Sequence, residues 1–136
     1  MKKWIIGTAT ALILLAAVLY ALQQYYKPHA DIASKPPQHK VDANTLFDAF
    51  KDNEQAANKK YNGKVIQVSG TLQKHDTTEQ NKHVLLLNTE DDFFGISCYM
   101  DSTFSGNPKV GTKLEVKGKC DGYTTDVVLS KCILVE

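Results

Sequence analysis

Hydrophobic and polar positions alternate most regularly between Lys64 and Leu72. Ile66, Val68, Gly70 and Leu72 share one face there, and Gln67, Ser69 and Thr71 share the other. A period of two is the mark of a half-buried strand. Gly70 interrupts an otherwise β-branched run, and a glycine inside a strand marks a bulge or a bend. Four further strands follow. His83–Thr89 is the second and Phe93–Met100 the third, with Phe94, Ile96, Cys98 and Met100 facing inward and Phe93, Ser97 and Tyr99 outward. Thr112–Cys120 turns Leu114, Val116, Gly118 and Cys120 inward, and Val127–Val135 closes the series. The segments between them are polar or acidic: Gln73–Lys82, Glu90-Asp91-Asp92, the breaker-rich Ser105-Gly106-Asn107-Pro108, and Asp121–Asp126.

Ahead of the strands the period changes to that of a helix. Asp42 caps a helix predicted over Ala43–Lys60, in which Leu46, Phe47, Phe50, Ala57 and Tyr61 form an apolar stripe. Asn62-Gly63 ends it, with Gly63 suited to a left-handed position. Asn53 and Glu54 fall in mid-helix with no packing role. The stripe is read as a plug for one end of a barrel rather than as a ligand site. Five strands, one helix at the end and a bent first strand predict a mainly-β fold: a five-stranded OB-type β-barrel preceded by an α-helix. A β-sandwich is the competing architecture, for which five strands are few.

Trp4 to Leu22 is a run of nineteen residues without a charge, which as a helix reaches roughly 28 Å, about the hydrocarbon thickness of a bilayer. Trp4 at one end and Tyr20, Tyr25 and Tyr26 at the other suit the interfacial aromatic belts. A cleaved signal peptide is the alternative. The run is long for one, and no clean small-x-small site follows it. No cysteine lies near its end, which excludes a lipoprotein attachment site. The expected organisation is a transmembrane anchor at residues 1–22, a Pro-containing tether at 23–40 that holds His29 and His39, and a globular domain at 41–136.

Charge sharpens this division. All 16 basic residues are lysines. Residues 1–40 carry five of them and one acid, a net +4, whereas residues 41–136 carry eleven lysines and fourteen acids, a net −3. A mildly acidic domain without arginine lacks the bidentate fork that phosphates favour, so nucleic acid is a disfavoured partner. OB barrels bind through aromatics on the second and third strands and through the loops after strands one and four. On that basis Phe93, Tyr99, Tyr123, Lys74 and Lys82 are the candidate ligand-binding residues.

Cys98, Cys120 and Cys132 occupy inward positions on the last three strands. Cys120–Cys132 across the final hairpin is the expected disulfide, with Cys98 as the alternative partner. No Cys-x-x-Cys spacing calls for zinc, and His75, Asp76, Glu79 and His83 match no metal-binding spacing. There is no nucleophile elbow, phosphate loop or His-Glu-x-x-His, so no cofactor, no metal and no catalysis are expected.

Several spaced groups of residues carry a resemblance. Asn53-Glu54, Ala57, Tyr61, Gly63-Lys64, Val68 and Gly70 form the first, and Ile96-Ser97-Cys98-Tyr99 the second. Gly118-Lys119-Cys120-Asp121-Gly122, Val127-Val128-Leu129 and Cys132-Ile133 complete it. Over roughly residues 41–135 the chain resembles the bacterial tRNA_anti-like OB-fold family. The resemblance implies an OB fold behind an N-terminal membrane segment and names no activity. The expectation is a single-pass protein of the bacterial inner membrane, held by residues 4–22, whose extracytoplasmic domain binds a protein or small ligand. A single-stranded nucleic-acid binder facing the cytoplasm is the alternative. A haem chaperone of similar build would need His-x-x-x-Tyr, which none of the four histidines begins, and a structural envelope subunit is the remaining rival.

Overall fold

The computed structural model describes residues 1–25 and 31–135, without the side chains of residues 2–5. Two compact units divide the chain, Met1–Asp31 and Ile32–Glu136. The first is helix α1, Lys2–Tyr25. Its stretch Ile6–Tyr25 spans 20 residues, and with a mean hydropathy of 1.9 over its most apolar 18 it is long and apolar enough to cross a membrane. The helix continues three residues past Leu22, the expected end. Tyr26, Lys27, Pro28 and His29 lie outside the described residues, as does the side chain of Trp4.

The second unit is a closed barrel. Its elements are β1 (His39–Asp42), α2 (Ala43–Asp52), α3 (Glu54–Tyr61), β2 (Val65–Thr77), β3 (His83–Leu87), β4 (Ile96–Met100), β5 (Lys113–Tyr123) and β6 (Val127–Leu134). Strands β2 to β6 are the five the alternation predicts. They run in the order β2-β3-β4-β6-β5, and a β2–β5 ladder closes the ring. β4 and β6 are parallel and the other barrel neighbours antiparallel. Closure leaves no free barrel edge, and the middle of the interior is fully covered: Ile66, Val68, Leu85, Leu87, Ile96, Val116, Val127 and Leu129 have no exposed surface.

β2 makes this possible by serving two ladders. Val65–Thr71 pairs with β5 and Leu72–Thr77 with β3. The ladder shifts between Leu72 and Lys74, so the bulge lies at Gln73 and not at Gly70. Gly70 answers a different constraint: a Cβ there would sit 3.0 Å from the Ala43 Cβ and 3.3 Å from the Leu87 Cβ. Its missing side chain lets α2 settle against the sheet.

Three element boundaries differ from expectation, each for a local reason. The polar stretch after Leu72 continues as strand to Thr77, because the inward positions at this end belong to half-buried His75 and His83. β4 starts at Ile96, not Phe93, because the Asp91 carboxylate takes the N–H groups of Phe93 (3.0 Å) and Phe94 (3.2 Å) into a turn. Phe94, expected inward, is consequently exposed. β5 runs on to Tyr123 through a register shift at Cys120/Gly122, with Gly122 at φ +106°.

The helix expected over Ala43–Lys60 is broken at Asn53. That residue closes α2 by donating its N–H to the Ala49 carbonyl, and opens α3 by accepting from the Ala56 N–H at 3.0 Å. One residue thus caps two helices, α2 with its backbone and α3 with its side chain. The bend turns Leu46, Phe47, Phe50, Ala57 and Tyr61 onto the barrel end, and all five are buried. Burying side chains of this size contributes roughly 1.5–3 kcal/mol each. β1, unforeseen by the alternation, runs parallel to the first half of β2 from His39↔Ile66 to Asp42↔Ser69, so strand begins inside the stretch expected as tether. Ile32 is buried within this unit.

The expected Cys120–Cys132 disulfide is absent, and Cys98 is not bonded either: all three thiols are free and buried. The final hairpin places Cys120 opposite Leu129, not Cys132. Cys132 lies opposite Met100 and beside Cys98, whose thiol donates to the Ile96 carbonyl at 3.8 Å. It also fills the space at Gly118, where a Cβ would meet its Sγ at 2.5 Å. Burial pushes both the Cys120 and Cys132 thiols up from their ordinary range, which keeps them protonated and inert.

Asp42 caps α2 as expected, accepting from the Thr45 hydroxyl at 2.6 Å and the Thr45 N–H at 2.9 Å. The hydroxyl bond, then the backbone one, hold its carboxyl below the usual carboxylate range. A folded-state value below the unfolded one means that the cap's stabilisation is present above the unfolded value, near pH 4, and is lost as pH falls through the folded value. Asp42→Asn keeps an acceptor but removes the titration. We expect it to cost about 1 kcal/mol or less at pH 7. Urea melts from pH 7 to pH 3 should show a shallower acid loss than in the parent, and superimposable acid profiles would refute this account.

Candidate binding face

The outer surface of β2, β3 and β4 is built from the second half of β2, where the bulge at Gln73 resets which residues point out. Two cross-strand rows result. One is Lys74–Leu86–Ser97 and the other Asp76–Val84–Tyr99. Val84 and Leu86 are half-buried and Tyr99 is 45% exposed, so the face offers a shallow apolar strip with an aromatic at its edge. Its charge is internally balanced. Lys74 Nζ lies 2.7 Å from Asp76 Oδ2, and Lys82 shares the β2–β3 loop with Glu79. That loop is tight: the Lys82 N–H donates to the Thr78 hydroxyl, the Thr78 N–H to the Lys82 carbonyl, and Asn81 takes φ +59°.

The five predicted residues therefore separate. Lys74, Lys82 and Tyr99 lie together toward the β2–β3 loop. Phe93 is at the opposite end of β3, 82% exposed in the β3–β4 loop. Tyr123 is half-buried. Its ring stacks on Phe50 with centroids 6.0 Å apart and meets Phe47 edge-on at 6.1 Å, so it secures α2 to the barrel.

The loop that carries Phe93 is firmly held. Asp91 Oδ2 reaches Lys51 at 3.5 Å, the Glu90 N–H donates to Asn44, and the buried Thr89 hydroxyl donates to the Phe94 carbonyl at 2.6 Å. The Phe93 N–H, first among several causes, holds the Asp91 carboxyl below its ordinary range. Asp126, from the β5–β6 turn, accepts from the Gly95 N–H and the Ser97 hydroxyl and so ties that turn to β4.

Two further features flank this face. His75 Nε2 and His83 Nδ1 lie 2.9 Å apart, within one hydrogen bond, and Phe104 covers both rings edge-on. The pair links β2 to β3 at this end of the barrel, and among the described residues no group of three or more metal-ligating side chains exists. The second feature is a polar groove of about 460 Å³ between β1, β2 and β5, lined by Lys40, Asp42, Gln67, Ser69 and Glu115. Gln67 and Ser69, the polar half of the alternation, were its visible signal. Its second wall, β1, was not visible.

Comparison with known proteins agrees with this architecture. The family described as tRNA_anti-like matches residues 1–134. A crystal structure from Klebsiella pneumoniae subsp. pneumoniae, of a protein inferred to be a nucleic acid-binding lipoprotein, superposes with a TM-score of 0.56 at 16% identity. It covers 81% of this chain and 100% of its own. At that identity the likeness is one of fold. No curated protein sequence matches the chain.

Exposure separates surface from scaffold among the predicted residues. Phe93→Ala should alter folding stability by less than about 0.5 kcal/mol. Tyr123→Ala removes two ring contacts and buried area, and should cost about 2 kcal/mol. Urea denaturation of the two variants measures both, and equal costs would contradict the assignment of Tyr123 to the scaffold.

Proposed function

This chain belongs to the tRNA_anti-like family, and on that premise we propose that it is a membrane-tethered OB-fold binding module of the bacterial cell envelope, which recognises a protein or small ligand without catalysis. One observation carries the reading. A helix long and apolar enough to span a bilayer is joined to a closed barrel whose outer β2–β3–β4 face combines apolar surface with cancelled charge. Val84, Leu86, Ser97 and Tyr99 form the contact strip, with Lys74 and Lys82 at its rim. Such a strip suits an uncharged or mildly polar ligand better than a polyanion. Residues 1–25 serve as the anchor, and the barrel lies on the extracytoplasmic side.

Nucleic-acid binding is the second reading, favoured by what the Klebsiella pneumoniae neighbour is inferred to bind. Exposed Phe93 and Tyr99 supply rings on which bases could stack. Against it stand the Lys74–Asp76 pair, the acids Glu90 and Asp92 beside Phe93, and the absence of arginine.

Fluorescence anisotropy of the full chain in detergent with labelled single-stranded oligothymidylate and oligouridylate decides between them. No binding at physiological salt in the micromolar range is expected. Submicromolar binding that weakens steeply with salt would replace the first reading by the second.

Topology is a separate expectation. Proteinase K added to intact spheroplasts should remove the barrel from the membrane; trypsin does not serve here, because Lys27 and Lys35 each precede a proline. Protection of the barrel until lysis would place it in the cytoplasm.

A further inference from the structure

The lysines of the barrel domain are not spread evenly. Six of them gather around the start of β2: Lys35, Lys59, Lys60, Lys64, Lys117 and Lys119. Hydrogen bonds and ladder register hold them there. Lys64 Nζ donates to the Lys59 carbonyl at 3.3 Å, the Cys120 N–H donates to the Lys64 carbonyl, and Val65 pairs with Lys119. Lys117 Nζ donates to the carbonyls of Ala33 and Lys35, both at 3.0 Å. These two bonds gather residues 33–35, just behind the domain's first residue, into the same cluster.

Among the described residues only Lys119 of this group has a carboxylate partner, Asp121 at 3.4 Å. Lys35, Lys59, Lys60 and Lys119 are exposed. The residues from Ile32 onward hold thirteen lysines and fourteen acids, a net −1. A patch of six lysines and one acid therefore leaves the remainder of the domain distinctly negative. Lys59 and Lys60 also complement the C-terminal end of α3, which accounts for two of the six. Lys64 and Lys117 hold backbone carbonyls with their ammonium groups, which leaves their charge without a carboxylate to cancel it.

The position of the patch along the chain says what it faces. It surrounds the point where the chain enters the domain, and Tyr25 is linked to Ile32 by six residues. Even fully extended, that link reaches no more than about 25 Å. We propose that this end of the barrel docks on the anionic headgroups of the bilayer that holds its own anchor, leaving the β2–β3–β4 face free for a ligand. The inference rests on the membrane-tethered reading of residues 1–25. A phosphate-bearing surface within tether reach meets the positive end, and the acidic remainder is turned away from it. Nucleic acid offers the same phosphates but no reason for the patch to encircle the tether.

The test uses the full chain in nanodiscs of phosphatidylcholine alone and of phosphatidylcholine with phosphatidylglycerol. Lysines are acylated with an amine-reactive ester and read by mass spectrometry. In anionic discs Lys59, Lys60 and Lys119 should react about fivefold more slowly than in neutral discs, and high salt should abolish the difference. Lys74, Lys82 and Lys109 should react equally in both. In Lys59→Glu/Lys60→Glu, which alters only exposed positions, the protection of Lys119 should disappear. A disc-bound chain with the same labelling in both lipids overturns the docking and spares the anchor. A chain that elutes free of discs overturns the anchor and the docking together. Protection of the same lysines by oligothymidylate but not by anionic lipid would assign the patch to nucleic acid and refute the proposal.

Discussion

Everything in the barrel depends on β2 belonging to two ladders at once. Its first half is bonded to β5 and its second to β3, and only a coiled strand can present its hydrogen-bonding edges to both. Closure abolishes the edge strands that a five-stranded sheet of this polarity would otherwise expose. It also fixes the interior, since residues from opposite walls meet across it. The space left by Gly70 and the space at Gly118 filled by the Cys132 thiol are consequences of that proximity. The helix pair then has one place to go, the open end of the ring, and the double cap at Asn53 gives it the bend to fit.

The same strand separates what the chain's pattern reveals from what it hides. Ile66, Val68 and Leu72 alternate because they line the core, so the first strand and its inward face are legible. Past the bulge the core is replaced by His75 and His83, and the strand reads as polar loop. Its outward rows, and with them half of the candidate binding face, become invisible. Asn53 was hidden for the opposite reason. The apolar stripe from Leu46 to Tyr61 keeps helical spacing across the break, and spacing cannot distinguish one helix from two that meet at a shared cap. β1 has four residues, only one of them aliphatic, and is defined by its partner rather than by itself.

The cysteines teach the sharper lesson. Their inward parity was correct, but pairing depends on register, and register was changed by local irregularities at Gly122 and at Lys131, which takes φ +51°. With Tyr123 opposite Val127 an unbroken ladder would set Cys120 opposite Ser130, and the shift moves it to Leu129, so Cys132 faces Cys120 in neither register. Tyr123 misled in the same way. It was assigned to a loop because acids and a glycine surround it, whereas the strand extends through it and its ring is spent on Phe47 and Phe50. Phe93 and Tyr99 remain exposed because nothing in the barrel needs them.

Charge connects the fold to its role more firmly than any single side chain. A domain with almost no net charge has been divided into a lysine-rich end, where the tether joins, and an acidic remainder that includes the loop bearing Phe93. The division follows in part from the fold, because Lys35 and the middle of β5 are distant in sequence from α3 and the start of β2 and join them only when the ring closes. Folding stability does not require it, since exposed lysines of like charge repel one another and contribute little to the core. An arrangement that closure creates and stability does not need is a reason to look for its use outside the barrel. For a chain anchored as proposed, the nearest anionic surface is the membrane. On the proposed reading, ligand selection falls to the outer β2–β3–β4 face, where the Lys74–Asp76 pair leaves shape and apolar contact to discriminate.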